Sequence, residues 1–92
     1  MVIKVGKKSI KAFLIRLVDK NLIILKGSQG YIMCGYLNLS AANKFREVAV
    51  KVTGVSSIED VLKAKVHSLS YEAEKLGLRR NQKIKDVIKI IA

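Results

Sequence analysis

Ninety-two residues, half of them apolar and together carrying a formal net charge of +11, make up one small basic domain. No apolar run reaches the roughly 20 residues that a membrane helix needs, and one cysteine rules out an internal disulfide. Lys4, Lys7, Lys8 and Lys11 interrupt every apolar run near the N-terminus. That pattern argues against a secretory leader, so a cytoplasmic protein is expected. A chain this short cannot readily bury so much apolar surface alone, and an interface shared with other copies is the expected remedy.

Val2 to Val5 and Ile10 to Val18 have the β-branched and aromatic content of strands, with Gly6-Lys7 as the hairpin turn between them. Asp19-Lys20-Asn21 supplies turn chemistry before Leu22-Ile23-Ile24-Leu25, and Gly27-Ser28-Gln29-Gly30 turns the chain into the strand Gly30 to Leu37. The result is an antiparallel meander. Residues 12–18 and 22–25 are apolar at odd and even positions alike, so both faces of the sheet should be covered, one by helices and one by a second subunit.

After Gly35 the period becomes helical. Leu39, Ala42, Phe45 and Val48 predict a helix over 39–47 capped by Asn38 or Ser40, and Val48 to Thr53 returns to the sheet. Ser56 and Glu59 fit a capping box for a short helix ending near Ala64. Residues 65–69 fit a short strand or an irregular link. A helix from Ser68 or Ser70 turns Leu69, Ala73 and Leu76 inward and ends at Gly77, and Asn81 caps a last helix whose stripe is Ile84, Val87, Ile88 and Ile91.

Gly30 to Leu37, Ser57 to Leu62 and Tyr71 to Gly77 resemble the YunC-like family of small bacterial and archaeal domains of unknown function. The resemblance implies an α+β fold that assembles as a tetramer through its N-terminal β region, and it supplies no catalytic residue. The expected architecture is therefore a single α+β domain over 1–92. Its antiparallel β region covers about 1–36 and its mixed helical region about 37–92, with three to four helices packed on one face.

Cys34 ends a predicted strand just before a helix, where sheets often present nucleophiles, and His67 is the one histidine able to serve as its base. Set against this, a free cysteine is commonly a small buried filler. Gly30 and Gly35, with Tyr31 and Tyr36 as amphipathic walls, outline a small-ligand site. The P-loop spacing they suggest fails, because Tyr36-Leu37 stands where Lys-Ser/Thr is needed. Arg79 and Arg80, before the last helix, could hold a phosphate or carboxylate. One Cys and one His cannot close a zinc site, so neither metal nor cofactor is expected.

Residues 1–46 hold nine basic residues against one acid, hence +8, whereas residues 47–92 hold nine against six, hence +3. Such asymmetry admits nucleic acid as a partner, but the five aromatic residues do not alternate with basic ones as a stacking surface requires. The favoured reading is a non-enzymatic homo-oligomeric binding or structural domain with a small-ligand site around Cys34 and Gly35. A thiol enzyme using Cys34 is the alternative, and a nucleic-acid module comes after it.

Overall fold

Turn chemistry in the first third of the chain builds the meander. In the computed structural model, which describes residues 1–35 and 38–92, β1 (Val2–Val5) and β2 (Lys8–Arg16) meet at Gly6, whose φ of +63° suits glycine. β3 (Asn21–Lys26) pairs antiparallel with β2, and β4 (Tyr31–Met33) pairs antiparallel with β3. The chain then crosses through α1 (Leu39–Lys44) to β5 (Ala49–Lys51), which runs parallel to β4. After α2 (Ile58–Lys63) comes β6 (Ser68–Leu69), antiparallel to β5, followed by α3 (Tyr71–Lys75) and α4 (Ile84–Ile91). Among the described residues the sheet has six strands, lying in their chain order.

The registers assign the two faces. Ile3, Ile10, Ala12, Ile23, Leu25, Ile32, Cys34, Val50 and Val52 share one face and form the principal core with Val61 of α2, Ala73 of α3 and the Ile84, Val87, Ile88, Ile91 stripe of α4. On the opposite face Met33 and Ala49 pack with Ala42 and Leu39 of α1. The helices therefore divide between the faces instead of all lying on one, because the parallel β4–β5 pair requires a crossover and that crossover is α1. Among the described residues nothing covers the rest of this second face, over β1 to β3. Phe13 is 45% and Ile15 54% exposed, and both stand beside the half-buried Leu22 and Ile24.

Several boundaries differ from the sequence reading for local reasons. α1 stops at Lys44, Arg46 takes a left-handed φ of 55°, and Phe45 is exposed instead of buried. β5 keeps three residues of the expected 48–53. The cap of α2 is shifted by one residue: Ser57 Oγ accepts from Asp60 N–H at 3.0 Å, while the Asp60 carboxylate accepts from Ser56 N–H at 3.1 Å and Ser56 Oγ–H at 2.9 Å. These hydrogen bonds hold the Asp60 carboxyl below its usual range. Leu76 lies on the exposed side of α3, and Gly77 does provide the left-handed cap, with φ +97°. Asn81 is itself left-handed at φ 64°, and α4 starts after Lys83, which makes no side-chain cap bond.

Two contacts fix the layers. Gly27 passes so close to the Ile91 carbonyl that any Cβ would overlap it, and Gln29 N–H donates to that same carbonyl at 2.8 Å, tying the β3–β4 turn to α4. Ser70, fully buried, donates its hydroxyl to the Glu47 carbonyl at 2.7 Å and accepts from Ala49 N–H at 2.9 Å and Ala73 N–H at 3.2 Å. Ser70→Ala leaves the buried Ala49 amide without a partner and should lower the unfolding free energy by about 2–3 kcal/mol in urea titration. The exposed cap variant Ser57→Ala should cost about 1 kcal/mol.

Candidate functional site

A strand that ends beneath a projecting hairpin leaves a recess beside its last residue. β2 and β3 extend past the end of β4, and the Gly54–Ser56 segment between β5 and α2 closes the other side. The resulting cleft, about 730 Å³, is lined from the hairpin by Arg16, Val18, Asp19, Lys20 and Asn21, and from below by Cys34 and Gly35. Asn21 Nδ2–H donates to the Ser56 carbonyl at 2.7 Å, bridging the two walls.

Cys34 forms the floor. It is 2% exposed, accepts from Ile23 N–H at 3.4 Å, and its Sγ lies 4.0 Å from the Asn21 carbonyl. The thiol thus fills a core position on the sheet's principal face while bordering the cleft. Gly35 and Gly54 add backbone walls. A Cβ at Gly54 would meet nothing within 4 Å, and one at Gly35 only Thr53 Cγ2 at 3.8 Å.

The remaining sequence candidates lie elsewhere. Gly30 and Tyr31 are at the opposite end of β4. A Cβ on Gly30 would come within 2.6 Å of the Val48 carbonyl, so this glycine serves the β4–β5 approach. Tyr31 is on the α1 face, where its hydroxyl donates to Glu47 Oε1 at 3.0 Å. Burial, then the hydrogen bond and charge of Glu47, push the phenol up to about 12. Tyr36 falls outside the described residues. His67 is exposed, with Nδ1 3.2 Å from Ser68 Oγ, and β5 lies between β6, which His67 precedes, and β4, which Cys34 follows. Two strand spacings keep those backbones roughly 10 Å apart, so the structure does not bring the imidazole to the thiol.

Arg79 and Arg80 are exposed on a shallow depression that also contains Glu74. They precede α4 by several residues instead of sitting in its first turn, and Arg79 N–H donates to Gln82 Oε1 at 3.2 Å. Among the described residues no three His, Cys, Asp or Glu side chains form a group able to hold a metal ion, and no helix is long and apolar enough to cross a membrane. The sequence reading missed Arg16, Lys20 and the Gly54–Ser56 wall, because they meet Cys34 only through the sheet's geometry. The one signal was a basic turn, Arg16 to Asn21, between two apolar strands.

Residues 33–91 match the family model described as a domain of unknown function, DUF1805. The chain is 36% identical over 72 residues to the uncharacterised protein YunC of Bacillus subtilis (strain 168), a match covering 74% of this chain and 71% of the relative. A crystal structure of a protein of unknown function from Thermoplasma acidophilum superposes with a TM-score of 0.95 at 39% identity, covering all of this chain and 90% of that one.

Two outcomes follow from this geometry. His67→Gln should leave the pH profile of Cys34 alkylation superimposable on that of the parent, since His67 is not among the residues that line the cleft. A phenol raised from 10.0 to about 12 in the folded chain contributes stability that is present below pH 10 and lost as the pH rises toward 12. Tyr31→Phe should therefore show a shallower alkaline loss of stability than the parent across that interval, measured by denaturant titration.

Proposed function

The chain belongs to the DUF1805 family of domains of unknown function, and on that footing we propose that it is a non-enzymatic, homo-oligomeric binding domain of the cytoplasm. In this reading copies join through the open face of β1 to β3, and each holds a small ligand in the cleft above Cys34 and Gly35. The observation that carries the proposal is the β2–β3 hairpin, which is apolar on its uncovered face and also forms one wall of the cleft.

A second copy is the occupant that suits that face. Val2 of β1, Phe13 and Ile15 of β2, and Leu17 and Val18 beyond it are exposed on this face and its rim. Together they offer on the order of 500 Å² of apolar surface, at the upper end of what a monomer normally shows. A stable interface takes about 800 Å² from each partner, which the surrounding sheet can complete. A two-fold, sheet-on-sheet packing that sets each hairpin tip over the partner's hairpin base brings Asp19 toward Lys11 and Lys26, opposite charges at the rim of an apolar centre. Phosphate backbones would find their cations only at that rim.

A thiol enzyme is the second reading, supported by the position of Cys34 on the cleft floor. Among the described residues the one histidine, His67, is not part of the cleft lining, which favours binding over turnover. Full turnover by Cys34→Ser on any substrate found would remove the enzyme reading.

Sedimentation velocity at micromolar concentration tests the assembly. The parent should run as an oligomer, and Ile15→Asp should run as a monomer with unchanged far-ultraviolet circular dichroism. A parent that runs as a monomer would overturn the proposal.

A further inference from the structure

We infer that the cleft beside Cys34 receives small organic carboxylates, with Arg16 and Lys20 as the recognising cations; this names the ligand class of the binding site proposed above and rests on that reading. The charge lining the cleft is unequal, two cations against the single carboxylate of Asp19. Among the described residues the ion pairs are Lys63–Glu59 at 3.1 Å and Lys75–Glu72 at 3.4 Å, both on helix surfaces, so neither Arg16 nor Lys20 is neutralised by a carboxylate. A guanidinium presents a planar fork that matches a carboxylate with two parallel hydrogen bonds, and a nearby ammonium adds charge without demanding a fixed geometry.

Size and lining point to an organic anion instead of a bare ion. The 730 Å³ of the cleft falls within the roughly 300–1,000 Å³ range of small-molecule sites, far beyond what a chloride or phosphate ion fills. Val18 and Val55 give it an apolar flank, while Gly54 and Gly35 let a ligand come up against backbone. The wall carrying both cations is braced by the bond from Asn21 to the Ser56 carbonyl at 2.7 Å, so the charges face a defined space. A carboxylate held by Arg16 and Lys20 directs the rest of a short molecule toward the sulfur at the floor.

Two alkylating reagents of nearly equal size test this directly. Iodoacetate carries a carboxylate and iodoacetamide a neutral amide; each forms an Sγ–C bond as the C–I bond breaks, releasing iodide and passing the thiol proton to buffer. The quantity read is the iodoacetate-to-iodoacetamide rate ratio at Cys34 in the native chain, divided by the same ratio in the guanidinium-unfolded chain. A charge-lined cleft raises local anion concentration by roughly tenfold or more, and the normalised ratio should rise accordingly. Arg16→Gln/Lys20→Gln should return it to about one, whereas Arg79→Gln/Arg80→Gln should leave it high, with thermal midpoints confirming that all variants fold.

Reaction with iodoacetamide but no preference for iodoacetate would overturn the carboxylate assignment and leave the ligand site standing. A preference that survives Arg16→Gln/Lys20→Gln would assign it to the chain's overall positive field and would likewise overturn the inference. Failure of both reagents to reach the native thiol would overturn the cleft as a site for small ligands altogether.

Discussion

The hydroxyl of Ser70 ties three parts of the chain together at one buried point. One oxygen donates to the Glu47 carbonyl, accepts from Ala49 N–H at the start of β5, and caps α3 through Ala73 N–H. A short parallel strand in an otherwise antiparallel sheet has few hydrogen bonds of its own, and β5 pairs with β4 over only three residues and with β6 over two. Ser70 supplies the missing partner where the crossover from α1 enters the sheet. The placement of β5 then sets the Gly54–Ser56 segment, and with it the far wall of the cleft.

The other constraint is the mismatch between strand length and helix cover. β2 runs nine residues and β3 six, but the helices on the principal face bury only Ile10 and Ala12 of β2 and Ile23 and Leu25 of β3. Beyond them the hairpin projects with apolar side chains on both faces, ending in Val18 at 96% exposure. Hydrophobic burial near 25 cal/mol per Å² makes such a projection costly in water. The same projection creates the recess over Cys34. One geometric excess therefore underlies both the uncovered face and the cleft.

Much of the fold could be read from the residues. β-branched and aromatic content and turn residues mark the first four strands, and the spacing of Ile84, Val87, Ile88 and Ile91 marks the last helix and its buried stripe. Helix ends were less legible. Ser56 and Ser57 are equally good caps in isolation, and only the reach of the Asp60 carboxylate back to Ser56 decides between them. Phe45 and Leu76 fit their apolar periods but fall where short helices have already ended or turned to solvent. Cys34 and Gly35 stood out because of an unusual string. Arg16 and Lys20 could not, since a charge at a hairpin tip reads as a solvated turn until the sheet shows what lies across from it.

The strand order has a consequence for how the chain is made. Each strand adds beside the one before it, so every ladder can form as soon as its second strand has been synthesised, and loop closure stays short throughout the meander. The helices that cover the principal face come later, from α2 onward. A nascent meander of β1 to β4 would meanwhile expose Ile10, Ile23, Leu25 and Ile32 as one continuous apolar sheet. A well-paired sheet awaiting its helices carries the transiently exposed apolar surface from which aggregation starts, so the order of synthesis sets when this chain is most exposed to its neighbours.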